Sequence, residues 1–226
     1  MSRVGEDVAL EAAAAGLQAY GEGDFAGAVA AHEMALAAGA EAPGIYVQLG
    51  NALYRQGRKG EAIWAWEQAL LGDPRDEAAD ANLARVRAEL RLPHERPLAS
   101  KVAPDDAAAF AAAFFSLACF FLILRRTGRL RQLLAVFASL ALASFLVCGA
   151  GLIASLAHRD AGRAVVLLEA ELRDAPDDAA RGRGSAQEGS VVRVERELGA
   201  WVFATLPSGR SGWLPRDRVS PVGALR

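Results

Sequence analysis

Cysteine, histidine and a surplus of charge of either sign are scarce in this 226-residue chain. Two cysteines, Cys119 and Cys148, can build neither a disulfide framework nor a zinc site, and both sit inside apolar runs. Three histidines, His32, His94 and His158, lie far apart, with no HExxH, CxxC or glycine-rich phosphate loop beside any of them. No nucleophile, base and orienting group share a motif, so the sequence predicts a non-enzymatic protein with no metal and no cofactor. Lys and Arg total 25 against 27 Asp and Glu, a net charge of −2, which gives no general attraction to nucleic acid. At about 150 residues per domain, the length allows one or two small domains.

What is abundant is apolar residues, 53% of the chain, and they are unevenly placed. Residues 1–106 carry 10 basic and 17 acidic side chains, residues 107–157 carry 4 and 0, and residues 158–226 carry 11 and 10. Ala107 to Leu124 is 18 residues without a charge, and Leu133 to Ala157 is 25. At about 1.5 Å per residue each is long enough to cross a bilayer, the second with tilt. The sequence therefore predicts a membrane hairpin over 107–157, with spans 107–124 and 133–157. The first run begins too far into the chain for a cleavable signal peptide. Cys119 and Cys148 lie at different distances from the connecting loop, offset by roughly 15 Å along straight helices, which excludes a disulfide between them. Arg125, Arg126, Arg129 and Arg131 crowd that loop with no acid. The positive-inside rule puts such a loop in the cytoplasm and both flanking parts on the other face.

Sliding the chain by 34 residues aligns Gly16 with Gly50, Tyr20 with Tyr54, Gly23 with Gly57 and Ala28 with Ala62. It also aligns Ala31 with Ala65, Glu33 with Glu67, Ala35 with Ala69 and Leu36 with Leu70. The second copy, Pro43 to Asp76, resembles the tetratricopeptide repeat, with Tyr46, Leu49, Gly50, Leu53, Gly57, Ala62, Trp66, Ala69, Leu70 and Pro74 at its signature positions. The first copy, Ala9 to Ala42, has His32 where the pattern calls for an aromatic residue. Small Gly50 and Ala62 let two antiparallel helices approach while Leu49, Leu53 and Trp66 fill the crossing. Asp76 to Arg91 reads as a capping helix, completing a helical domain over residues 1–92. Val47, Asn51, Tyr54, Arg55 and Arg85 would project from its concave face as a protein-binding surface. Asn51 has two readings, a ligand to a bound peptide backbone or an inter-helix structural hydrogen bond. Pro93, Pro97 and Pro104 mark a stiff linker over residues 93–106.

Past the hairpin the pattern changes to short β segments: Ala164 to Leu172, Ser190 to Arg196, Trp201 to Thr205, Ser211 to Leu214 and Val219 to Val222. Breakers at Pro176 to Asp178, Gln187 to Gly189, Glu197 to Gly199 and Pro207 to Gly209 predict a small all-β barrel over residues 163–223. The blocks Glu188 to Val194, Gly199-Ala200-Trp201-Val202 and Gly209 to Leu214 resemble the bacterial SH3 domain. Trp201 and Trp213 either line a groove for a peptide or glycan or cover the edge of the core.

Repeats, Pro-containing linker, two-span hairpin and SH3-like barrel, in that order, resemble the E-type members of the Bacteroides aerotolerance (Bat) operon family. The likeness includes Leu49-Gly50-Asn51-Ala52-Leu53-Tyr54 and the pair Asn82-Leu83. It implies a bacterial inner-membrane scaffold, two-pass, acting in envelope or oxidative-stress physiology with von Willebrand A-domain proteins and a MoxR-type ATPase. The chain departs from the family where Met1 to Gln18 carries acids in place of an apolar stretch. The other reading is a cell-wall sensor whose barrel binds peptidoglycan.

Overall fold

Glycine recurs at an interval of 34 residues, and the computed structural model shows what that interval does. It describes residues 3–40, 42–94, 101, 103–124, 131–159 and 162–223. Five helices come first: α1 (Arg3–Glu22), α2 (Phe25–Ala37), α3 (Pro43–Arg55), α4 (Lys59–Gly72) and α5 (Glu77–Glu89). Gly23 and Gly57, 34 apart, take φ values of 83° and 80°, the left-handed conformation that turns α1 into α2 and α3 into α4. Asp24 caps α2 by accepting from the Gly27 N–H, and Asp76 caps α5 by accepting from the Ala79 N–H, both at 2.8 Å. A Cβ added to Gly16 would lie 2.5 Å from the His32 ring, and one added to Gly50 would lie 2.5 Å from the Trp66 indole. The two helix pairs thus repeat one contact, a glycine under a flat ring. Leu49, Leu53, Ala62 and Trp66 are buried at the second crossing, where Ala28 and Ala35 serve the first.

Two further helices, α6 (Pro104–Leu124) and α7 (Arg131–Arg159), are long and apolar enough to cross a membrane. Pro104 starts α6 three residues ahead of the expected span, with Asp105 and Asp106 in its first turn, a placement that suits the positive end of the helix dipole. The pair packs antiparallel through small side chains, with Ala107, Ala111 and Ala118 buried on α6 and Ala138 and Ala141 on α7. Ring contacts of Phe115 with Phe145 and of Phe121 with Phe137 flank that seam at 5.5 and 5.4 Å. Larger residues such as Phe110, Ile123, Leu140, Val147 and Ile153 face outward, the reverse of a water-soluble helix pair. Cys119 and Cys148 are free thiols. Arg125, Arg126 and Arg129 of the loop, and linker residues 95–100, lie outside the described residues.

Seven strands follow: β1 (Arg163–Val166), β2 (Ala170–Arg173), β3 (Gly182–Ala186), β4 (Val191–Leu198), β5 (Trp201–Thr205), β6 (Ser211–Pro215) and β7 (Val219–Pro221). They form one antiparallel sheet in the order β3-β2-β6-β5-β4-β1-β7. Ala164, Val166, Leu172, Val192, Val202, Ala204 and Leu214 fill its core. Two sequence expectations are corrected. The strand expected over Ala164 to Leu172 is broken at Leu167, whose N–H donates to the Arg218 carbonyl, so β1 pairs with β4 and β7 while β2 pairs with β3 and β6. β3, with the sequence Gly-Arg-Gly-Ser-Ala, has no β-forming composition; it is held at the sheet edge by its backbone ladder to β2.

The chain divides into two compact units, Met1–Glu95 together with Ala161–Arg226, and Arg96–Asp160. In the first unit the sheet is docked on α4. Gly60 is the point of closest approach: a Cβ there would collide with the Leu167 carbonyl, and its N–H donates to Glu188 Oε1 at 2.7 Å. Trp64 Nε1 donates to the Pro221 carbonyl (2.9 Å), Gln187 Nε2 to the Leu90 carbonyl (2.6 Å), and the Gly223 N–H to Gln68 Oε1 (3.1 Å). Gly189 fits against Ile63, Leu90 and Leu92, and Val165 and Val222 join the helical core.

At the centre of this junction Glu67, 7% exposed, accepts from Arg87 Nη2 at 2.6 Å and from Arg163 Nη2 at 3.0 Å. Burial pushes the Glu67 carboxyl up, but the Arg163 and Arg87 charges and their hydrogen bonds outweigh it and hold the carboxyl below its ordinary 4.5. A carboxyl depressed on folding contributes stability that is complete above its unfolded value and disappears as pH falls through the folded value. Glu67→Ala removes the carboxylate shared by the buried Arg87 and the half-buried Arg163, and a loss of about 3–5 kcal/mol is expected. The whole chain in detergent, melted at several pH values, should show a lower midpoint for the variant at pH 7 and a weaker decline of that midpoint on acidification below about pH 4.5.

Candidate functional site

The exposed face that runs across α1, α3 and α5 gathers most of the residues read as a binding surface. Arg55, near the end of α3, lays its guanidinium 4.2 Å from the Phe25 ring and 6.0 Å from the Tyr20 ring, and those rings meet edge to face at 5.3 Å. Arg85 of α5 stands 5.5 Å from the Tyr54 ring and donates to Asn82 Oδ1 at 2.6 Å. Asn82 Nδ2 in turn donates to Asn51 Oδ1 at 2.9 Å. The Tyr54 hydroxyl donates to Glu89 Oε1 at 2.8 Å, and Lys59 pairs with the other Glu89 oxygen at 3.0 Å.

The electrostatics of this face are set by those bonds. Accepting from Tyr54 and Lys59 holds the Glu89 carboxyl below its ordinary value, while donating to Glu89 raises both the Tyr54 phenol and the Lys59 amine. Glu89 is thereby neutralised locally. Arg55 and Arg85 form no salt bridge among the described residues, although the Arg85 charge also helps to lower Glu89, and they are positioned by ring stacking and, for Arg85, by Asn82. Stacked guanidiniums keep their forked donors available for carboxylate or phosphate. On α1, Leu10 and Leu17 are more than half exposed and lie on the Tyr20 stripe by their spacing of 10, 13, 17 and 20. The surface is therefore apolar along α1 and cationic with amide donors along α3 and α5.

Asn51, Tyr54, Arg55 and Arg85 are brought together as the repeat reading expects. Val47 is a correction: it does not project, but is 6% exposed within the helical core. Its branched apolar side chain gains more from that core than from water. Of Asn51's two readings, the inter-helix bond is present, and it uses one lone pair of the amide oxygen. Phe25, Lys59, Asn82 and Glu89 complete the face without having been singled out for it. The signal for Glu89 was slight: it stands 35 residues after Tyr54, close to one repeat period.

On the sheet, Trp201 and Trp213 occupy neighbouring rows. The register places Arg173, Trp213, Phe203 and Arg196 side by side on β2, β6, β5 and β4. Arg196 lies 4.7 Å from the Phe203 ring and 5.6 Å from Trp213, and Phe203 meets Trp213 edge to face at 5.4 Å. Arg173 lies 5.7 Å from Trp201. Trp213 is 9% exposed, so its ring serves mainly to cover the sheet, and Trp201 is the more open of the two. No protein-family model, curated protein or solved structure matches the chain.

Replacing Asn51 by Ala leaves the Asn82 amide without its acceptor, and a loss of about 0.5–1.5 kcal/mol is expected. The thermal midpoint of the whole chain should fall by a few degrees, and Asn82→Ala combined with Asn51→Ala should fall by less than the sum of the two single changes. Additive losses would show that the amide pair does not couple α3 to α5 in solution.

Proposed function

We propose that this chain is a non-enzymatic, two-pass inner-membrane scaffold of the Bat type, whose tetratricopeptide-like groove and SH3-like barrel hold protein partners beside the bilayer. The observation that carries the reading is the pair of stacked guanidiniums, Arg55 and Arg85, lying without a salt bridge among the described residues on an exposed face next to Asn51 and Tyr54. Such a face suits an acidic protein segment, with the Leu10 and Leu17 stripe accepting an apolar anchor. Von Willebrand A-domain membrane proteins and a MoxR-type ATPase are the partners that the family resemblance suggests. A peptidoglycan-binding role for the barrel has less support, because Arg196 and Phe203 already lie against Trp213 and Arg173 against Trp201.

Membrane sidedness follows from connectivity. The chain on either side of the α6–α7 hairpin belongs to one folded unit, so both parts occupy the same side of any membrane the hairpin crosses. The arginine-rich loop then lies in the cytoplasm, with the helical and β parts in the periplasm. With Cys119 and Cys148 replaced by Ala, an impermeant thiol reagent applied to intact cells should label Ser208→Cys and spare Thr127→Cys. The opposite pattern would place both modules in the cytoplasm.

The groove is tested by reversing its charge. Arg55→Glu with Arg85→Glu, made in the full-length protein and cross-linked in native membranes, should recover about tenfold less partner than the unaltered chain, the loss typical of arginine anchors. Equal recovery from a variant with an unchanged melting midpoint would remove the α1–α3–α5 face as the docking surface.

A further inference from the structure

His32 is the one member of the recurring glycine-and-ring contact that can take up a proton near neutral pH. It sits in α2 beneath α1, 1% exposed, with the Cβ position of Gly16 within 2.5 to 2.8 Å of three atoms of its ring. Neither ring nitrogen has a hydrogen-bond partner among the described residues. The equivalent place in the second pair is held by Trp66 under Gly50, which has no titration to undergo. The charged and titratable groups on the surrounding elements do not reach the ring. Glu6, Asp7, Glu11 and Glu22 on α1, Asp24 and Glu33 on the α2 side and Arg55 on α3 are all exposed, and Tyr20 is engaged with Phe25.

We propose that His32 is a proton switch for the inner groove: protonation of the buried ring releases α1 from α2 and dismantles the α1 side of the binding face. This rests on the reading of the α1–α3–α5 face as a docking surface and adds its regulation. The lever is that the fully buried side chains of α1 are small: Ala9, Ala12 and Gly16 are buried on α1, with Ala28, Val29, Ala35 and His32 itself on α2, while Val8, Leu10 and Leu17 stay exposed. An imidazolium in that slot would have no acceptor for either N–H, so the hairpin opens in preference to burying the charge. α1 carries Leu10, Leu17 and Tyr20, and its departure strips Tyr20 from Arg55.

The direction in pH follows from the burial, which lowers the His32 pKa from its ordinary 6.5. The stability contributed by the neutral ring is complete above 6.5 and is lost as pH falls through the lower folded value. His94 and His158 lie outside this hairpin, so a site-resolved readout separates them.

The test is hydrogen exchange on the full chain in detergent micelles at pH 7.5 and 5.5, corrected for the intrinsic rate, without any partner. Protection of residues 3–22 should drop several-fold, up to the limit of about tenfold that one histidine can supply over this pH step, in the unaltered protein and stay constant in His32→Phe, which keeps a flat ring. An equal drop in both proteins, or none in the unaltered one, overturns the proposal. The His32 ring proton followed by NMR in the unaltered protein gives an answer should His32→Phe fail to fold. A midpoint below 6.5 that coincides with opening of α1 supports the switch, and a midpoint at or above 6.5 with α1 still protected overturns it. Because the readout uses no partner, failure of the groove reading leaves this result standing on its own.

Discussion

A buried carboxylate held by two arginines joins parts of this protein that lie 96 residues apart in sequence. Glu67 sits on α4, Arg87 on α5 and Arg163 at the start of β1. A lone carboxylate in that position would be strongly disfavoured; two guanidiniums make the ionised form the stable one. The pairing is demanding in geometry as well as charge, since it requires α4 to approach the sheet closely. Gly60 allows that approach, about two turns before Glu67, by presenting no Cβ to the Leu167 carbonyl. The glycine and the glutamate act together: the first removes a steric obstacle, and the second makes the resulting junction selective for the strand that carries Arg163.

The docking has a topological consequence. The two long apolar helices are inserted between chain segments that fold together, so the hairpin begins and ends at one body. Independent modules on separate tethers would each sample their own volume beside the membrane. Here the helical groove and the sheet share a core through Val165, Val222 and Ile63, and any partner bound by one is held at a fixed position relative to the other. The sheet uses α4, whose partner helix α3 supplies Asn51, Tyr54 and Arg55, so docking supports the groove from behind and leaves its exposed side open.

The groove itself is built from interactions that order charge without cancelling it. Glu89 accepts from Tyr54 and pairs with Lys59, so both of its oxygens are engaged, and the nearby Arg85 charge adds to the field that lowers it. Arg55 and Arg85 are then placed by aromatic rings and an amide. Stacking restricts their rotamers, and a ligand of the proposed kind would therefore meet a lower entropic cost. On the α1 side of the same face, the only buried group among the described residues capable of changing its charge near neutral pH is His32.

Features that depend on neighbours in sequence were legible from the sequence. Runs of 18 and 25 residues without charge specify the two long apolar helices because the cost of placing a charge in hydrocarbon is a property of each residue alone. The 34-residue interval placed Gly16, Gly50, Gly23 and Gly57 where close packing and left-handed turns need them, and β4, β5 and β6 followed from apolar alternation and turn residues. The rest was decided by tertiary structure. Gly182 to Ala186 is a strand only because β2 offers it a ladder, and Val47 is buried only because the helices around it close over it. Glu67 reads as an ordinary helical glutamate until Arg163, 96 residues away, arrives beside it. Such contacts leave no periodic trace in either partner, because their energy depends on two distant residues meeting rather than on the local run of either.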